Sequence, residues 1–207
     1  MGELPRMLTR LGADTLKHHA DADGDLERFL LQETVTLDDY RTYLTRVYRV
    51  LLPLEAALAA TPGLADVLDV DARAKSKLLV QDLGNLGMTR QNIAAIPSCT
   101  AIPAFRNAAV ALGWLYVIER PILASPVISR HLATQLPNEM VQASAYLSCH
   151  AGQTGSMWRA LGTAMDRVAT STAASDQIVT AAHDAFRTLQ RWRTHHLQQA
   201  GGIRRTG

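Results

Sequence analysis

Residues able to do metal or acid–base chemistry are unevenly spread along this sequence. There are seven histidines and two cysteines among 207 residues. His18 and His19 are adjacent near the amino terminus, in the run Thr15-Leu16-Lys17-His18-His19-Ala20-Asp21, and His195 and His196 are adjacent near the other end. Neighbours on a helix point about 100° apart, so neither pair chelates one metal from a single helical face. His131, His150 and His183 stand alone and read as structural residues, and the C-terminal pair reads as solvated. A histidine on the buried side of an N-terminal helix has two readings. It is either an ordinary core residue or a group that bonds a cofactor iron through its neutral imidazole.

Other chemistries are excluded by the absence of their residues. No Glu-x-x-His pair is present for a di-iron bundle, and no HExxH, Walker loop, GxGxxG or GxSxG occurs. Cys99 and Cys149 form no CxxC and are too few for a disulfide framework, so they read as reduced thiols.

Helical elements must position whatever chemistry there is. From Thr36 to Ala60, the residues Tyr40, Leu44, Val47, Leu51, Leu54 and Leu58 fall at spacings of three and four, one stripe of a helix. Thr36 with Asp39 predicts a capped start, Thr61-Pro62-Gly63 a stop, and Pro53 a bend. A first helix is predicted from Leu4 to about His19, burying Leu4, Leu8, Leu11 and Thr15, with Gly24 loosening the chain before a short piece over Leu26–Leu31. Further helices are predicted over Asp71–Leu83, from Pro103 to about Leu132, and over Asn138–Leu147, Gly155–Ala169 and Ser175–Leu197. In the last of these Ile178, Ala182, Phe186 and Leu189 form the stripe. No stretch alternates with period two. The expectation is a single-domain, all-α helical fold over residues 1–197, with a flexible tail at 198–207.

Composition agrees. Hydrophobic residues make up 47%, aromatic residues 5% and charged residues 19%, which suits a core of Leu, Ala and Val rather than a β-sandwich or a disordered chain. A net charge of +2 gives no reason to expect nucleic-acid binding. Ala108–Ile118 is apolar but short for a membrane span, and Met1–Arg10 lacks the apolar stretch of a secretory signal. A cytoplasmic protein with no membrane partner is expected.

Several segments, in order, resemble the haem (heme) oxygenases of bacteria, of the type that accompanies bacteriophytochromes. The family opens with Thr-x-x-x-His followed by small and acidic residues, here Thr15 to His19 and Ala20-Asp21-Ala22-Asp23. Leu52-Pro53-Leu54-Glu55 is similar to its Pro-Leu-Glu step, and Asp82-Leu83-Gly84-Asn85-Leu86-Gly87 to its Asp-Leu-x-x-Leu-Gly segment. The run Ala111 to Glu119 resembles the start of its distal helix, and Gln153 to Leu161 its late Thr-Gly-x-Met-Trp segment. The resemblance implies haem held between a proximal and a distal helix, as both substrate and cofactor. It implies His19 as the proximal iron ligand, with His18 the rival if the register slips by one. It also implies Thr15, Tyr116, Val117, Arg120, Ala124 and Ser125 as pocket residues, and Trp158 as a core anchor.

The implied reaction uses O₂ and electrons to open haem to biliverdin, CO and iron. The implied partners are a ferredoxin- or flavodoxin-type donor or a reductase, and a bacteriophytochrome that receives the product. Arg10, Lys17 and Arg130 are candidate contacts for the haem propionates. One segment departs from the family. Where the family reads Gly-Ser-x-Leu-Gly-Gly, this chain has Arg120-Pro121-Ile122-Leu123-Ala124-Ser125-Pro126. Either proline supplies the bend that glycine supplies elsewhere, with Arg120 turned outward or towards a propionate, or the pocket is reshaped. On the second reading the protein is a non-catalytic haem or bilin binder, or an interaction module.

Overall fold

The computed structural model describes residues 3–203, and their side chains except those of 20–23, 25, 27 and 195–203. The expected all-α fold is the one the chain adopts, and no strand occurs among the described residues. The helices are α1 (Arg6–Asp14), α2 (Leu16–Leu30), α3 (Leu37–Ala59), α4 (Ser76–Asn85) and α5 (Arg90–Ala94). They continue as α6 (Ala108–Glu119), α7 (Ser125–Gln135), α8 (Pro137–Gln142), α9 (Thr154–Val168) and α10 (Thr172–Ile203). Short 3₁₀ turns cover Asp71–Arg73 and Arg120–Ala124.

The predicted stripes become the core. Tyr40, Leu44, Leu51, Leu54 and Leu58 of α3 are buried, as are Ile178, Ala182, Phe186 and Leu189 of α10. Thr36 and Asp39 form the capping box at the start of α3, and helix geometry continues past Pro53. The most extensive helix pair is α6 with α10. Their backbones approach at Gly113, where a Cβ would lie only 2.7 Å from the Cβ of Ala181. Gly113→Ala must therefore push α6 off α10. It is expected to lower stability by about 1–3 kcal/mol, the usual range for overpacking, and a urea unfolding curve would show this.

Several boundaries differ from the sequence expectation. Leu4 is 53% exposed and precedes the first helix. That helix breaks at Thr15, whose φ of −102° and ψ of 4° lie outside the helical well. The Thr15 hydroxyl donates to the Leu11 carbonyl at 2.6 Å, a back-bond of the kind that bends helices. Beyond it α2 runs through Gly24 without loosening. A 3₁₀ turn precedes α4, so one helix does not cover Asp71–Leu83. Pro103 lies outside α6, which Asn107 caps by accepting from the Val110 amide at 3.1 Å. The helix expected over Asn138–Leu147 ends at Gln142. Of the tail expected to be flexible, residues 204–207 lie outside the described residues.

The stretch Ala108–Gln135 is long and apolar enough to cross a membrane by length and composition, but 67% of its most apolar window is buried inside the fold. It is a core element, and a 3₁₀ turn at Arg120–Ala124, the bend between α6 and α7, interrupts its α-helical course. Pro121 and Pro126 each lack the amide that a continuous helix needs, and each falls in the first turn of a new segment, where that amide has no helical partner anyway. The prolines thus stand where the α-helical course is interrupted.

Candidate functional site

Two structural clamps fix the ends of the elements around the bend. Glu55 of α3 accepts from the amides of Lys75 (2.6 Å) and Ser76 (2.9 Å), and from the Ser76 hydroxyl, so it caps the start of α4. Asp82 of α4 is fully buried and accepts from the amides of Ala145 (3.0 Å) and Tyr146 (2.8 Å). Burial pushes its carboxyl above the ordinary range, and those two amides pull it part of the way back. Tyr40 adds a 2.6 Å hydrogen bond to the Ala143 carbonyl, so the turn carrying Tyr146 is held from two helices.

Glu119, the last residue of α6, carries the most concentrated buried charge. It pairs with Arg73, and Lys75 reaches it at 3.4 Å; all three side chains are 4% exposed. Arg73 also donates to the Met157 carbonyl of α9 at 2.9 Å. The point where α6 gives way to the bend is therefore tied to the start of α4 and to α9.

His150 lies beside this cluster, with Nε2 buried and without a partner. Its pKa is depressed, first by desolvation and then by the nearby Lys75 charge. That of His183 is depressed too, first by desolvation. Below the ordinary value of 6.5 the unfolded chain takes up protons that the folded chain resists, so stability drops as the pH is lowered through that range. The urea midpoint should be lower at about pH 5.5 than at about pH 7.5, and His150→Gln should flatten part of that slope.

The break at Thr15 places both N-terminal histidines in the first turn of α2. They point to different partners. His19 Nε2 lies 3.1 Å from the Thr15 hydroxyl. Because that hydroxyl spends its proton on Leu11, it accepts here, and His19 carries its proton on Nε2. His18 Nε2 lies 3.0 Å from His183 Nδ1 of α10, and its ring stacks on Phe186 at 5.2 Å and 19°. Phe186 also meets the His19 ring, with centroids 6.0 Å apart.

Tyr116 of α6 closes the other side of this group. It is 2% exposed and packs on Trp158 at 5.4 Å, with Thr15 close by. Burial raises its phenol pKa, while Thr15 and the neighbouring Arg120 charge oppose that shift. Thr15 thus lies next to both His19 and Tyr116, and Arg120 neighbours Tyr116. Val117 is buried, Ser125 is 6% exposed, and Arg120 and Ala124 are half-buried on the bend.

An apolar cavity of about 110 Å³ lies under the bend. Val117 and Pro121 line it from above, Val47 and Val50 from α3, and Phe186 and Leu189 from α10. Phe186 is therefore shared between the cavity wall and the two histidines, neither of which lines the cavity. Small-molecule sites span about 300–1,000 Å³, so a large planar ligand enters only if this wall yields.

Arg46, Trp192 and Arg193 also line the cavity, and sequence reasoning missed all three. The basic residues it did consider lie elsewhere. Arg10 pairs with Asp14 and Asp176, and Arg130 donates to the Pro126 carbonyl at 3.2 Å. None of Arg10, Lys17 and Arg130 lines the cavity.

Among the described residues no three His, Cys, Asp or Glu side chains converge as a metal cage. Cys99 and Cys149 are free thiols whose pKa burial raises, so they are poor nucleophiles. What the site offers is two imidazoles against Phe186, with an apolar slot walled by the same ring and cationic residues at the slot's edge. No curated relative matches the chain. The heme oxygenase family does match, over residues 6–195. That span takes in both histidine-bearing ends of the site, the bend and nearly all of the helical core, and the chain belongs to the haem oxygenase family.

Proposed function

We propose that this protein is a haem oxygenase that binds haem between α2 and the bent α6–α7 segment, with His19 as the axial ligand. The observation that supports this reading best is the placement of His19. It lies in the first turn of α2, against the Phe186 ring that also walls the apolar cavity.

The donor set fits the group. Haem iron brings four nitrogens of its own, so one imidazole completes the site and no cage of protein ligands is needed. The apolar walls suit the macrocycle, and the arginines suit its two carboxylates. When bound, haem supplies the iron at which O₂ and electrons open the ring to biliverdin, CO and iron.

The chain's own part is positional. His19 has to release Thr15 and take the tautomer with the proton on Nδ1, which leaves the Nε2 lone pair for a ligand bond. Thr15 remains held by its bond to the Leu11 carbonyl, so the break between α1 and α2 survives the exchange. Val117, Pro121 and Leu189 keep water from the slot. Arg120, Ala124 and Ser125 lie on the bend outside the cavity lining, and they would meet the ligand once the cavity wall has yielded. Electrons come from a ferredoxin- or flavodoxin-type donor or a reductase. A bacteriophytochrome is the proposed recipient of the product, and the cytoplasm the proposed compartment.

Phe186 in the cavity wall and Arg120 on the bend favour a second reading, a non-catalytic haem or bilin binder. Hemin added to the purified protein decides between them. An imidazole-ligated Soret band that converts to verdohaem and biliverdin with reductant and O₂ supports the enzyme. A stable band without conversion supports the binder, and no band at all overturns both.

A further inference from the structure

Two adjacent imidazoles meet one aromatic ring. The centroids of His18 and His19 lie 5.2 Å and 6.0 Å from that of Phe186, so nearness to this ring does not choose between them. Nor does the chain upstream. Thr15 has left the helical well, so the helical phase of α1 is not carried into α2. A change of phase by one residue, about 100°, would exchange the two rings. A contact from outside α2 has to set that phase.

Helix α10 supplies such a contact. His18 Nε2 lies 3.0 Å from His183 Nδ1, and the two rings meet edge to face with centroids 5.2 Å apart. His18 also stacks on Phe186 at 19°, whereas the His19 ring is tilted to it by 47°. Whichever of the two nitrogens carries the shared proton, Nε2 of His18 is spent. As a donor it has no lone pair to give, and as an acceptor its lone pair points at His183. His19 Nε2 instead meets Thr15, four residues back on its own segment, so exchanging that bond separates no helices. His183 stands alone in the sequence, 165 residues from His18, and no motif marks it.

We propose that His183 selects the axial ligand: by holding Nε2 of His18 it fixes the phase of α2 and leaves His19 as the imidazole that turns to iron. This inference rests on the haem reading above and goes beyond it. His183 is a positioning residue, acting through His18 rather than on the ligand itself. The adjacent pair is then not two equivalent candidates but one ligand and one tether.

Second-site rescue tests this in the Soret spectrum of the hemin complex, without turnover. The His19→Ala protein should lack the imidazole-ligated band, because His183 still holds His18. Adding His183→Leu or His183→Ala should bring the band back as His18 turns to iron, and adding His18→Ala to either should remove it again. His183→Asn keeps a polar group where Nδ1 lies, so in the same background it should not restore the band. A merely structural His183 predicts no such gain, since losing a packing residue creates no ligand. A folded His19→Ala, His183→Leu protein without the band overturns the selection and leaves the haem reading standing. So does a restored band that survives His18→Ala, or a band that persists in His19→Ala alone. Circular dichroism reports folding, and loss of the fold in both the Leu and the Ala variants would make His183 a packing residue and overturn the selection too. If the wild-type protein gives no imidazole-ligated band, the haem reading fails and the selection fails with it.

Discussion

His19→Ala is expected to abolish the imidazole-ligated spectrum of the hemin complex, and His18→Ala to change hemin affinity less than about threefold, or roughly 0.7 kcal/mol. The asymmetry follows from what each ring holds. His18 spans from α2 to His183 on α10 and stacks on Phe186, which is a packing role between two helices. His19 holds the Thr15 hydroxyl, whose own proton is committed to Leu11, so this bond can be exchanged while Thr15 keeps its place. Added imidazole should restore a ligated spectrum to His19→Ala, because the apolar walls and arginines remain. The measurement is the Soret region of each hemin complex, with circular dichroism as the control for folding. If loss of the spectrum follows His18 instead, the register of the whole proximal segment moves by one residue and Thr15 loses its proposed role.

Much of this architecture was legible because burial repeats with the helical period. The α3 and α10 stripes predict buried residues that are buried, save Val47, which is half-buried at the cavity, and the prolines after Glu119 predict the interruption that occurs. The break at Thr15 was not legible, since it depends on a hydroxyl bonding back to Leu11 and a lone threonine is compatible with an unbroken helix. The segments that carried the family resemblance were found as strings, but their work is mostly structural. Glu55 caps α4, Asp82 secures the turn at Tyr146, and Glu119 anchors the end of α6. The basic edge of the slot was half legible. The spacing of Arg41, Thr45 and Arg49 in the adjoining groove lies in the sequence, whereas Arg46 and Arg193 line one cavity only because α3 and α10 face each other across it.

The second large effect belongs to Glu119. Glu119→Ala leaves Arg73 and Lys75 buried with no carboxylate between them, and breaking a buried pair in this way costs about 3–5 kcal/mol. For a domain near this size that corresponds to a fall in Tm of roughly 6–20 °C, readable by thermal denaturation. The cluster as a whole is a different matter, because desolvating three charges consumes most of what their attraction returns. Replacing all three together, as Arg73→Met, Lys75→Met and Glu119→Leu, should return stability close to that of the wild type or raise it. That triple variant then separates holding the fold from placing the site. Arg73 also reaches the Met157 carbonyl and Lys75 the Arg73 carbonyl, contacts that methionine cannot make. The end of α6, and the bend that follows it, would then be packed but no longer tied to α9 and the start of α4. A triple variant as stable as the wild type yet weaker for hemin would show that the ion cluster positions the bend. Unchanged hemin affinity would show that apolar packing of α6 on α10 does so alone.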